Sequence, residues 1–382
     1  MKIGITGWYG WQNLGDEMLL NSALTFFGKN KSVVFAVNDM AARNVEEMHG
    51  VETAKIKEIL DYDLDCLIFA GGDVFHDLVV EWYFPKKLVN KIKCPLMMLS
   101  VGVPFGEGYT FLSKAIDWFV KRLSFISFRD GYSKKIFSDL WPKKRSFLLP
   151  DLNFLIEKQR LKRETKRVAL QYVEIPESYF NITPPDFNAL TRNVFATLYR
   201  NFRKLGFDPR FLVFNPKEIK SLRKSLPEGC EKVICYSDTS TAVREIVSSS
   251  LMIGQRLHSC VMALTQYTPF TAYRYQGKMD GVIGMIAKNR VVYPRGSLTF
   301  EDLYPKEFSS DERLEVDTIK SYLKDSLEKI RRSIGDPNNL ENLVLPIFPF
   351  EEKISEQYKF SKIKHRPKPL RDLWLWIRSR TR

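Results

Sequence analysis

Twice along this chain, short apolar runs ending at glycine, proline or aspartate alternate with longer amphipathic stretches, and this alternation constrains the fold more than any other feature. In the first series Lys2–Thr6, Ser32–Val37, Asp65–Ala70, Leu96–Val101, Leu123–Ser127 and Phe147–Leu149 read as strands. Between them Asp16–Phe27, Ala41–His49, Val80–Lys91, Phe111–Lys121 and Gly131–Leu140 read as helices. Such a succession implies right-handed crossovers onto a mostly parallel sheet. The charged stretch Glu157–Lys166 interrupts the pattern. It then restarts with strand Arg167–Gln171 and helix Asp186–Lys204, followed by Phe211–Phe214, Pro216–Leu226, Lys232–Cys235, Ser240–Ser249, Leu251–Ile253, Arg256–Leu264, Pro269–Tyr273 and Lys278–Ala287, strand and helix by turns. Two α/β domains are expected, residues 1–156 and 167–345, with helix Glu312–Ser333 closing the second and residues 346–382 left as a tail. A length of 382 residues suits that division. Ligands of open α/β sheets bind beyond the carboxyl ends of the strands, so the expected site is the cleft between the domains.

Composition narrows the partners. Lys and Arg exceed Asp and Glu by 14, which predicts attraction to something anionic. Five cysteines, Cys66, Cys94, Cys230, Cys235 and Cys260, form neither a CxxC pair nor a zinc spacing with histidine, so reduced core residues are expected. The opening MKIGITGWYG reads as a strand and turn rather than a secretory leader, and no apolar run is long enough to span a bilayer. The expected location is cytoplasmic, with peripheral membrane contact left open.

Four loops at predicted strand ends carry the candidate chemistry. Gly7 to Glu17 sets glycines, Asn13 and the pair Asp16 and Glu17 at a helix start, where backbone amides and a positive helix end collect. The plainer account makes Asp16 and Glu17 ordinary helix-start charges. Gly71-Gly72-Asp73 and His76 follow the third strand; a lone histidine there is more often structural. Arg129 stands directly after a strand, as a surface ion pair or as an anion ligand. The richest loop is Gly254-Gln-Arg256-Leu-His258-Ser259, with Lys278 one strand later. Arginine offers phosphate or carboxylate a two-pronged fork, lysine adds a point charge, and a histidine beside a dianion is a natural proton donor.

Together, Gly7-x-x-Gly10-x-x-Asn13-x-Gly15-Asp16-Glu17, Gly71-Gly72, Ser100-Val101-Gly102, Ser127-x-Arg129-Asp130-x-x-Ser133, Asp151-x-x-Phe154 and Gly254-x-Arg256-x-His258-Ser259, then Tyr275-x-x-Lys278, resemble the polysaccharide pyruvyl transferases. The resemblance implies a GT-B-like fold with two Rossmann-like domains facing a central cleft. It further implies phosphoenolpyruvate as donor, and a pyruvyl ketal placed on a hydroxyl pair of a cell-surface glycan or its lipid-linked precursor. Carried over residue by residue, it assigns Arg129, His258 and Lys278 to the donor, His258 also as the acid, and Asp16 as the base. Arg256 joins the donor side on its chemistry, with Asn13, Glu17, Gly71, Gly72 and Ser259 as further cleft candidates. Phosphoenolpyruvate is then a substrate, and neither cofactor nor metal is expected. The chain departs from the pattern at Asp73, where a third glycine is usual and a carboxylate would repel an anionic ligand; Phe128 and Leu152-Asn153 stand where smaller residues are usual.

The last 24 residues hold nine Lys or Arg and one acid, a net of +8, interleaved with Trp374 and Trp376. That composition suits the surface of an anionic membrane, and equally a segment packed back on the first domain or left solvated. Nucleic acid is the poorer partner, because the charge is terminal and no binding motif accompanies it. The rival functions are a nucleotide-sugar glycosyltransferase on the same architecture and a non-catalytic glycan- or lipid-binding relative.

Overall fold

The computed structural model describes residues 1–106, 109–110, 112–173, 187–216, 218–219, 222–223, 226, 233–235, 238–274, 277–293, 299–349 and 364–365. The first domain is a seven-stranded sheet ordered β3-β2-β1-β4-β5-β8-β9, built from β1 (Ile3–Thr6), β2 (Ser32–Ala36), β3 (Glu52–Lys55), β4 (Cys66–Ala70), β5 (Leu96–Val101), β8 (Leu123–Phe128) and β9 (Phe147–Leu148). All its pairings are parallel. The intervening β6 (Phe105–Gly106) and β7 (Tyr109–Thr110) form a small hairpin. Its helices are α1 (Leu14–Phe27), α2 (Asp39–His49), α3 (Asp77–Tyr83), α4 (Lys86–Val89), α5 (Asp117–Arg122) and α6 (Gly131–Leu140). The second domain orders six strands β12-β11-β10-β13-β14-β15: β10 (Glu164–Gln171), β11 (Asp208–Val213), β12 (Val233–Cys235), β13 (Ser249–Gly254), β14 (Phe270–Tyr273) and β15 (Val291–Val292). Around it lie α7 (Phe187–Lys204), α8 (Thr239–Ser248), α9 (Leu257–Gln266), α10 (Gly277–Val282), α11 (Gly284–Ala287) and the long α12 (Ser310–Ser333). The expected alternation is therefore present twice.

Departures from the expected elements have local causes. The helix expected over Val80–Lys91 divides into α3 and α4 at Pro85, which lacks the amide a continuous helix needs. That expected over Phe111–Lys121 is α5 preceded by one 3₁₀ turn, Lys114–Ile116, whose cap is Ser113. Lys278–Ala287 is likewise broken into α10 and α11. Strand β3 is an unexpected edge strand; with the sequence ETAK and one buried side chain, it carries no apolar run to reveal it. The helix expected over Pro216–Leu226 and the tail over 346–382 fall largely outside the described residues; Lys364–His365 (β16) pairs in parallel with β7.

The inner strands β1, β2, β4 and β5 of the first sheet are buried on both faces. On one face Phe69 and Phe128 of the strands cluster with Phe75, with Phe84 at the end of α3, and with Phe119 of α5 and Phe137 of α6. The other meets α1, whose residues are buried on nearly every side, and through it one apolar core runs into the second domain. The two domains also share backbone: Leu14 N donates to Phe214 O at 2.9 Å. Tyr322 of α12 donates to Leu148 O at 2.9 Å, so the helix expected to close the second domain also ties it to the first. No described helix is long and apolar enough to cross a membrane.

Candidate functional site

The chemistry-bearing side chains come from the carboxyl ends of both sheets and meet at one place. Arg129 leaves the end of β8 with its side chain 1% exposed. Its guanidinium pairs with Asp73, from the loop after β4, and with Asp151 at 3.2 Å. A buried guanidinium is tolerable only when paired in this way, and the two carboxylates hold its charge firmly in place. Burial alone would raise the carboxyl of Asp73, but the charges of Arg129 and Lys278 outweigh it and keep the group far below the usual range. Asp151 shows the same competition: burial pushes upward, while its hydrogen bond to His258 and the charges of His258 and Arg129 pull it below the ordinary value.

From the second domain, His258 lies in the first turn of α9 and Lys278 in the first turn of α10. His258 Nε2 is 3.6 Å from Asp151 Oδ2 and 3.5 Å from Arg129 Nη1. Lys278 Nζ is 3.1 Å from Asp73 Oδ2. All three contacts cross between the domains. On the opposite side of His258 stands α1 with Asp16, whose carboxyl is pushed upward by burial against the opposing pull of His258. Asn13 donates to Asp16 from the preceding turn.

Backbone geometry makes room for this cluster. A Cβ on Gly15 would collide with the imidazole of His258, lying 2.9 Å from its Cγ, so helix α1 can approach α9 only with glycine there. A Cβ on Gly102 would sit 3.1 Å from Arg129 Nε and strike Asp73. Gly71 and Gly72 both take positive φ, +71° and +81°, and Gly102 N donates to Gly72 O at 2.7 Å, so the loops after β4 and β5 are stitched together. Ser100 adopts φ 52°, a left-handed conformation uncommon for serine, at the end of β5.

Not every sequence candidate joins the cluster. Glu17 is buried, accepts from Gly10 N at 2.8 Å and pairs with His49 at 3.1 Å, and so secures the loop to α2. Arg256 precedes α9 in extended backbone and pairs with Glu218 of its own domain, while His258, two residues on and inside the helix, meets Asp151 of the first domain. Ser259 is buried and donates to Arg256 O at 2.7 Å, closing the same turn. His76 is buried with its imidazole pushed down to about 4 by loss of solvent. Two residues that the sequence offers only as parts of motifs, with no chemical role, acquire one here: Asp151 joins Arg129 and His258, and Gly15 makes the approach of α1 to α9 possible.

Among the described residues, no group of three or more His, Cys, Asp or Glu is placed to hold a metal ion. Cys66, Cys94 and Cys260 are free thiols, the first and last buried, and burial pushes Cys260 up to about 12. The side chains of Cys230 and Cys235 lie outside the described residues.

Two parallel sheets and a polar cluster drawn from both define a two-domain, GT-B-like protein whose site lies where the domains meet. The sequence profile of the family described as polysaccharide pyruvyl transferase matches residues 13–277, and the chain belongs to that family. Comparison with curated protein sequences finds no match. Among solved structures, the UDP-N-acetylglucosamine 2-epimerase of Rickettsia bellii superposes with a TM-score of 0.56 at 10% identity, covering 89% of this chain and 98% of its own. The S. aureus MnaA–UDP co-structure gives a TM-score of 0.50 at 10% identity, covering 89% and 92%. At such identities the likeness is one of fold.

Proposed function

We propose that this chain transfers pyruvate from phosphoenolpyruvate to two hydroxyls of one sugar in a cell-surface glycan or its lipid-linked precursor, forming a ketal. The observation that carries the reading is the convergence of Arg129, Lys278, His258 and Asp16 across the domain junction. Arg129 and Lys278 would neutralise the donor's phosphate and carboxylate. His258, held by Asp151, would give its proton to the methylene carbon, turning CH₂ into CH₃ and leaving C2 electron-poor. Asp16, its carboxyl raised by burial, would take the proton of the first hydroxyl as that oxygen bonds to C2. The C2–O bond to phosphate breaks, the second hydroxyl closes the ketal, and its proton leaves with phosphate or restores His258. Arg256 would serve the donor only on leaving Glu218.

The sugar is assigned to the first domain. There Trp8, half-buried, stacks on Trp11 at 5.7 Å and meets Trp82 at 5.6 Å, offering ring faces to the C–H faces of a pyranose. The basic tail of residues 346–382 would bring the protein to an anionic membrane carrying such an acceptor. Calorimetric titration tests the donor: saturable binding of phosphoenolpyruvate that is lost in Arg129→Ala and Lys278→Ala is expected. No heat with phosphoenolpyruvate, together with saturable binding of a nucleotide sugar, would replace the reading with glycosyl transfer.

A further inference from the structure

Asp73 is the residue whose presence the reaction does not explain. Its two carboxylate oxygens face the two cations that an anionic donor would need, Oδ1 toward Arg129 Nη2 and Oδ2 toward Lys278 Nζ, the latter at 3.1 Å. Arg129 comes from the first domain and Lys278 from the second, so the carboxylate bridges the junction. The opening it fills exists because residue 102 is glycine: a Cβ there would clash with Asp73 Oδ1 and lie 3.3 Å from Arg129 Nη2. Arg129 Nε has no hydrogen-bond partner among the described residues although it is buried beside the same opening. The side chain of Asp73 is 21% exposed, so this is the solvent side of the cluster, whereas Asp151 on the far side is 0% exposed. Asp73 thus pairs with both of the cations that an anionic donor would need, and an incoming dianion must compete with it for them.

We propose that the Asp73 carboxylate occupies the oxyanion place of the site as an internal counter-anion, which a phosphate or carboxylate group must displace in order to bind. Asp73 thereby sets donor affinity. It holds Arg129 and Lys278 in position while the site is empty and withdraws toward solvent when an anion arrives. The identity of that anion rests on the pyruvyl-transfer reading; the displacement itself does not.

Wild type, Asp73→Asn and Asp73→Gly are titrated separately with inorganic phosphate, pyruvate and phosphoenolpyruvate at fixed ionic strength. Both variants are expected to bind phosphoenolpyruvate, and whichever of phosphate or pyruvate shares this place, about tenfold more tightly than wild type or better, equivalent to about 1.4 kcal/mol. Equal or weaker affinity for every one of these anions in folded variants would overturn the proposal and make Asp73 a positioning residue for the two cations. A second measurement needs no variant. In a crystal structure of the wild-type protein soaked in phosphate or phosphoenolpyruvate, Asp73 is expected to have left Lys278, and an anion bound on Arg129 with both Asp73 pairs intact would overturn the proposal. Tighter phosphate binding in the variants without any preference for phosphoenolpyruvate over phosphate would leave the displacement standing and remove the pyruvyl-transfer reading alone.

Discussion

The two sheets repeat one topology with different chemistry at its ends. Each runs third, second, first, fourth, fifth strand from one edge in its own chain order, so the loops after corresponding strands arrive at corresponding places. After the fourth strand the first domain presents Asp73 and the second presents His258; after the fifth, Gly102 faces the cluster from one side and Lys278 from the other. The first domain contributes Arg129 with Asp73 and Asp151 paired to it, and Asp16 facing the histidine, while the second contributes that histidine and the lysine. Topology fixes where a site can be; the residues at the strand ends decide that neither half is electrically complete without the other.

Substitution at the shared centre should break this division most severely. Loss of His258 to Ala is expected to lower kcat by about 10²–10⁴-fold with an unchanged melting temperature; near-normal turnover would remove it as the proton donor. Arg129→Ala strikes the pre-built half. It leaves Asp151 buried and Asp73 without its inner partner, and should cost about 3–5 kcal/mol in urea unfolding. A variant as stable as wild type would show the carboxylates to be hydrated in solution.

A subtler probe is Gly15→Ala, which forces the imidazole of His258 aside without removing any charged group. Turnover is expected to fall by about 10²-fold, as displaced catalytic groups typically cause, with phosphoenolpyruvate affinity changed less than kcat. If kcat is unaffected, the closed approach of α1 to α9 is not the working geometry.

The carboxylates of the first domain should also separate by pH. Folding raises the carboxyl of Asp16, so its charge costs stability above its unfolded value, and that cost disappears as pH falls. Asp16→Asn should therefore lose activity yet melt higher at pH 7, with the gain shrinking toward pH 4. Asp151 is depressed on folding, so its contribution is present above the ordinary carboxylate range and is lost as pH drops below it. Melting curves of Asp151→Asn should accordingly show a weakened acid dependence. The smallest expected effect on chemistry is that of truncation after His365, which keeps β16. Activity on a soluble acceptor should persist while sedimentation with anionic liposomes is lost; unchanged sedimentation would sink the membrane role of the tail.

Much of the framework was legible because apolar runs announce buried parallel strands. Helix α6 and strand β5 fall where the pattern puts them, and Leu96–Val101 is buried throughout. Strand β3 was not legible, since one buried alanine among ETAK gives no period, and Pro85 was the missed signal that divides α3 from α4. In the site, Arg129, His258, Lys278 and Asp16 were recognisable as residue types placed after strands, whereas the orientation of Arg256 toward Glu218 was not, because the partner lies 38 residues away in the segment after β11.

The sequence by itself determined the succession of elements, the division into two α/β halves and the family, because these depend on local periodicity and on motifs contiguous in the chain. Only the tertiary structure decided that Asp73 lies between Arg129 and Lys278, that Asp151 joins Arg129 to His258, and that Gly15 is the gap through which the domains close. Those relations join residues far apart in the chain, and charge balance and steric clearance are properties of distance in space, which no spacing along the sequence contains.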